Sequence, residues 1–177
     1  MLPTLALDTS KRRTGYFADL SDGRRVSGSY TGASEALPGR AGALYSQWLC
    51  QIISTYKPAL IAYEAPVIGN RGGGMTMNME VAFVLIGLAF LTETIAASYK
   101  IRCVRAHAMT VRKHFLGTGR PENPKRAVME RCKLLGFDVA NHDVADAAAL
   151  WAWAKATHDK EFRYETTTPL FGKAGAA

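Results

Sequence analysis

The chain has 177 residues, 48% hydrophobic and 21% charged, with a formal net charge of +7. These values exclude a disordered chain and fit one ordinary domain, 1–177, with a core of its own. The basic excess suits a polyanionic partner and says nothing about fold.

Thr4 to Asp8 reads as a buried strand. Thr14 to Leu20 and Arg25 to Thr31 read as two more, joined by an Asp22-Gly23 turn. Their close spacing favours antiparallel pairing. Ala41 to Tyr56 places Leu44, Trp48, Ile52 and Tyr56 at helical spacing, and Lys57-Pro58 stops it. Ala59 to Glu64 is a further buried strand. Ile68 to Gly74, with four glycines and an arginine, is a loop.

Met79 to Tyr99 is a long helix with an apolar centre on all faces, so it should be buried on more than one side. A neighbouring subunit can supply one of those sides. Arg102 to Arg105 is a short strand, Thr110 to Phe115 a short helix, and Pro124 to Leu135 another, ended by Gly136. Asn141 is a good N-cap for a last helix running to about His158. The segment 166–177 is a tail that frays. The order predicts an α/β fold: a mixed sheet flanked by helices on both faces.

Three widely spaced cysteines, Cys50, Cys103 and Cys132, give neither a disulfide frame nor a zinc site. The N-terminus has no signal-peptide pattern. The longest apolar stretch, Val81 to Leu91, falls short of the roughly 20 residues a membrane span needs. A cytoplasmic protein without a membrane segment is expected.

Four acids stand out. Asp8 and Glu64 end apolar strands, where acids are disfavoured, and Asp143 and Asp146 share a face of the last helix. Each has a plain structural reading; the helix pair, for one, answers the helix dipole for about 0.3–1 kcal/mol each. Together they predict one site at a sheet edge. Carboxylates gathered this way call for a hard cation, Mg²⁺ or Mn²⁺, and no histidine is required. The chemistry that needs such a cluster is phosphodiester hydrolysis with two ions bridging the scissile phosphate. In that assignment Asp8 lies between the ions, and Glu64, Asp143 and Asp146 complete the shells.

On these motifs the chain resembles the RuvC-type Holliday-junction resolvases of the ribonuclease-H-like superfamily. The likeness runs from Leu5 to Ala154. Leu5 to Tyr16, Ala62-Tyr63-Glu64, Gly117-Thr118-Gly119-Arg120 with Lys125, and Asp143 to Ala147 follow the family's order and spacing. The resemblance implies a ribonuclease-H-like sheet, three antiparallel strands followed by parallel ones. It implies Asp8, Glu64, Asp143 and Asp146 as catalytic, metal-binding residues. It also implies a homodimer, joined through helix 79–99, that nicks opposed strands of a four-way DNA junction. Arg112 and Lys125 fall near basic DNA contacts of the family. The loop after Glu64 departs from the family's glutamine and aromatic, having Ala65-Pro66-Val67-Ile68 and then Gly72-Gly73-Gly74. That departure implies a divergent branch, phage-encoded or otherwise specialised, acting on branched DNA more generally.

Lys11, Arg12 and Arg13 follow Asp8 and are expected at phosphates flanking the cut; Lys113 and Arg120 belong to the densest basic stretch. Arg71 in the glycine loop is a candidate for the junction centre, with Met75 and Met77 as apolar wedges. His142 is expected to cap the helix or face solvent. Competing readings are a nuclease for RNA–DNA hybrids, a non-catalytic junction-binding protein, and an actin-like ATPase, for which the chain is short.

Overall fold

The computed structural model describes residues 1–31, 37–66 and 79–162. The glycine loop with Arg71, Met75 and Met77, and the tail 166–177, lie outside the described residues.

Five strands form one sheet: β1 (Thr4–Asp8), β2 (Thr14–Asp19), β3 (Arg25–Tyr30), β4 (Leu60–Glu64) and β5 (Arg102–Ala106), in the order β3-β2-β1-β4-β5. β1 pairs antiparallel with β2, and β2 with β3; β1 pairs parallel with β4, and β4 with β5. This is the mixed sheet the sequence predicts. The helices are α1 (Pro38–Tyr56), α2 (Met79–Ser98), α3 (Ala108–Leu116), α4 (Pro124–Leu134) and α5 (His142–His158). α1 begins three residues before the predicted start because Pro38 sits in its first turn, where a missing N–H costs nothing. Lys57 ends it in a left-handed conformation, φ 49°.

Strand alternation divides the core in two. Leu5, Leu7, Ala18, Ile61 and Tyr63 pack with α1 and α2. Ala6, Phe17, Leu60 and Ala62 pack with α5 and its neighbours. α5 presents Ala145, Ala148, Ala149 and Ala152, each fully buried or nearly so. Small side chains let this helix lie close on β1 and β2, much as they let helices approach elsewhere.

The far end of α5 is anchored by ions. Lys155 is fully buried and donates to the Leu2 carbonyl at 2.6 Å, to Asp19 Oδ2 at 2.9 Å and to Asp159 Oδ2 at 2.7 Å. All three ammonium protons therefore have acceptors. Asp19 Oδ1 accepts from the Thr4 N–H and from Trp151 Nε1–H, both at 2.8 Å. A buried charge pair is tolerated only when satisfied to this degree.

α2 is long and apolar enough, by length and composition, to cross a membrane. Its unbroken apolar run, Val81 to Leu91, is shorter than a span on its own. Here the helix packs against α1 and reaches β4 and β5 with Val84, Leu88, Thr92, Ile95 and Ala96. Its other face leaves Met79, Phe83, Ile86 and Phe90 exposed.

Burial pushes the Asp159 carboxyl up. Hydrogen bonds from Lys155 and from the Leu2 and Glu161 N–H groups outweigh that and hold it at about 2. A lowered folded-state value contributes stability that is present above the ordinary carboxylate pKa of about 4 and lost as pH falls toward 2. Urea midpoints should therefore drop more between about pH 5 and about pH 3, where the unfolded-state carboxylate protonates, in the wild type than in Asp159→Asn.

Candidate nuclease site

Parity on the strands places the first two acids. Asp8 is two residues beyond Ala6, and Glu64 two beyond Ala62, so both project to the face that α5 covers. β1 and β4 are neighbours in parallel register, Leu7 opposite Tyr63, so the two acids end adjacent strands at the same edge. Asn141 caps α5, its side chain accepting from the Val144 N–H at 3.1 Å. Asp143 and Asp146 then fall in the first two turns of α5, at the positive end of its dipole.

The approach of α5 to β2 depends on Gly15. A Cβ there would collide with the carbonyl of Asp143 and would stand 2.7 Å from the Val144 nitrogen. Any side chain there would force the start of α5 away from β2. The importance of Gly15 was missed in the sequence, where Thr14-Gly15-Tyr16 reads only as a strand.

The four acids lie close enough to act on one another's charge. The Asp8 carboxyl is pushed well above its ordinary value by burial, and further by Glu64, Asp146 and Asp143 in that order, with Arg112 opposing. Asp146 is pushed up by burial; Arg112 opposes this, Asp143 adds to it, and His142 and Lys125 oppose it. Asp143 forms an ion pair with Arg13 of the β1–β2 loop. Among the described residues no group of three or more His, Cys, Asp or Glu side chains is arranged to hold a metal ion. The four acids converge, and their side chains, one of them engaged by Arg13, are not closed around a common centre. As a donor set they suit a hard divalent cation: carboxylate oxygens from three elements, with Asp8 left in an excess of negative charge.

The basic candidates divide. Arg112 on α3 and Lys125 on α4 act on Asp146 across the space between the helices, and Arg112 also acts on Asp8. Lys113, Arg120 and Lys125 are exposed, as is Arg12; Lys11 and Arg13 are half-buried. Arg13 is turned onto Asp143 rather than out to solvent alone. His142 is exposed and leaves capping to Asn141.

No family model matches this chain. The crossover junction endodeoxyribonuclease RuvC of Gluconobacter oxydans (strain 621H) is 32% identical to it over 120 residues, covering 68% of this chain and 67% of that protein. The chain belongs to the RuvC family. Solved structures agree on the fold. Thermus thermophilus RuvC superposes with a TM-score of 0.69 at 14% identity, covering 88% of this chain and 96% of that one. The same protein in complex with a Holliday junction substrate gives 0.68 at 14% identity, covering 85% and 91%. The yeast mitochondrial Holliday junction resolvase Ydc2 gives 0.59 at 14% identity, covering 84% and 75%. The ribonuclease-H-like architecture expected for a RuvC-type chain is thus the one observed.

Gly15→Ala should lower stability by about 1–3 kcal/mol, the usual cost of overpacking, because the start of α5 must move outward. Urea denaturation measures the loss, and the same displacement should weaken whatever Asp143 and Asp146 do. Gly39→Ala, at an open position in α1, should cost neither.

Proposed function

We propose that this chain is a crossover junction endodeoxyribonuclease, hydrolysing phosphodiester bonds in four-way junctions or other branched DNA with Mg²⁺ or Mn²⁺. The observation that carries the reading is the convergence of Asp8, Glu64, Asp143 and Asp146 at one sheet edge in a chain of the RuvC family. A relative whose name gives that activity, and a neighbouring structure described with a Holliday junction, supply the substrate class.

Asp8, Glu64, Asp143 and Asp146 would hold the cations, two per site in the reading favoured here. Bound there, divalent cations make a water nucleophilic near neutral pH and stabilise charge on the leaving oxygen. The chain's own residues do the rest. The rigid β1 and β4 ends fix Asp8 and Glu64, and α5 fixes the other two. Arg112 stands close enough to Asp8 and Asp146 to oppose their shifts, so it is placed to meet a phosphate drawn to the same edge. Lys11, Arg12, Lys113, Arg120 and Lys125 offer phosphate contacts that give affinity without base specificity. Arg71 is proposed for the junction centre from the sequence alone.

Two sites are needed to cut two opposed strands. The exposed face of α2 supplies the surface for a homodimer: Met79, Phe83, Ile86 and Phe90 recur at helical spacing on one side.

Asp8→Asn and Asp146→Asn should each reduce junction cleavage by about a thousandfold or more, the several kcal/mol that a bound cation supplies. Binding of the four-way junction in EDTA should persist in both. A gel-shift and cleavage assay on four-way, three-way, flap and linear DNA and an RNA–DNA hybrid checks this; parallel loss of binding and cutting would overturn it. The double variant Phe83→Glu/Phe90→Glu should sediment as a monomer and replace paired nicks with single ones.

A further inference from the structure

The Arg13–Asp143 ion pair joins residues 130 positions apart and ties the β1–β2 loop to the first turn of α5. Arg13 is held there by more than its side chain. Ser10 Oγ donates to the Arg13 carbonyl at 2.6 Å and accepts from the Arg13 N–H at 3.2 Å, so both backbone polar groups of Arg13 are fixed. The Gly15 contact two residues later brings this loop against the Asp143 backbone. The arginine side chain nevertheless keeps 42% of its surface exposed, and that of Asp143 25%. The guanidinium is therefore built into place on one member of the acidic quartet and still reachable by solvent or a ligand.

A guanidinium bound to Asp143 excludes a divalent cation from that carboxylate, and the two positive charges repel one another at close range. The same guanidinium presents a planar fork of donors that matches a phosphate as well as it matches a carboxylate. A phosphate arriving beside the loop stabilises Arg13 away from Asp143, and a cation arriving at Asp143 stabilises it there too. Each ligand then favours the other, and the coupling is reciprocal.

We propose that Arg13 is a positioning residue, a resident counter-cation that holds Asp143 in the cation-free protein and passes to a DNA phosphate when metal and junction bind together. The proposal rests on the nuclease reading above. It adds to that reading a device by which the metal site is completed only on DNA.

The test uses the full chain and two binding measurements, neither of which depends on cleavage. Mn²⁺ binding without DNA is followed by electron paramagnetic resonance of the free ion. Four-way junction binding is followed by fluorescence anisotropy in EDTA and in Ca²⁺. Arg13→Gln should bind Mn²⁺ about tenfold more tightly than wild type, and the same change in an Asp143→Asn background should alter affinity less than about twofold. Ca²⁺ should strengthen junction binding severalfold in the wild type and hardly at all in Arg13→Gln. Arg13→Lys keeps the charge without the fork. It should fall between the two, and it carries the test if the glutamine variant does not fold.

Unchanged Mn²⁺ affinity in Arg13→Gln overturns the proposal. So does an equal gain in the Asp143→Asn background, which would mean a general charge effect. Asp8→Asn separates the two levels. If it weakens Mn²⁺ binding while Arg13→Gln does nothing, the nuclease reading stands and the Arg13 proposal falls. If it leaves Mn²⁺ binding untouched, both fall.

Discussion

The close seat of α5 on the sheet is the constraint from which the rest of the molecule follows. An alanine face and a glycine at position 15 let the helix backbone approach β1 and β2 as no larger side chains would. That approach carries the first turn of α5, with two carboxylates, to the ends of the strands that bear the other two. A larger residue at position 15 would push Asp143 and Asp146 away from Asp8. The helix is pinned at its other end by Lys155, whose ammonium lies between Asp19 and Asp159. An element fixed at both ends transmits position rather than motion, which is what a metal-binding constellation requires of its scaffold.

The two ends of α5 treat charge in opposite ways. At Lys155 the pairing is complete: every proton has an acceptor and the carboxylates have donors to spare. At the sheet edge it is incomplete. Asp8 is buried among like charges, and Arg112 only partly relieves it. Folding tolerates unrelieved charge of this kind because it is offset elsewhere, and its presence marks where a ligand supplies what the chain lacks. The contrast sets a structural ion cluster at one end of the helix against the candidate functional one at the other.

Much of this was legible in the sequence because it is written in short periods. The strands and helices follow from alternation and from the 3.6-residue repeat, and Asn141 and Gly136 act at the helix ends as their chemistry dictates. Parity alone relates Asp8 to Ala6 and Glu64 to Ala62, so the shared face of the two acids was available from residue numbers. What was not legible is distance between segments. Arg13 reads as one more basic residue in a basic loop, and nothing local says that its partner is Asp143. Lys155 reads as a surface lysine. One signal existed: it stands four residues from Trp151 and four from Asp159, on the same stripe as Ala148 and Ala152, a lysine on an otherwise apolar face. The loop after Glu64, where the sequence departs most from its family, lies outside the described residues.

α2 shows why a largely apolar helix is not by itself a statement about environment. Its inner face meets α1 and the sheet, and Thr92 there is satisfied by the Leu88 carbonyl and the Tyr45 hydroxyl, both at 2.8 Å. Glu93, one residue on, accepts from the Tyr63 hydroxyl at 2.5 Å, directly beside Glu64 in the chain. A helix wholly in lipid would have no reason to place a carboxylate against a sheet tyrosine next to a candidate ligand. The same contact ties α2 to β4 one residue before Glu64, so the helix buttresses the strand end that carries this candidate ligand.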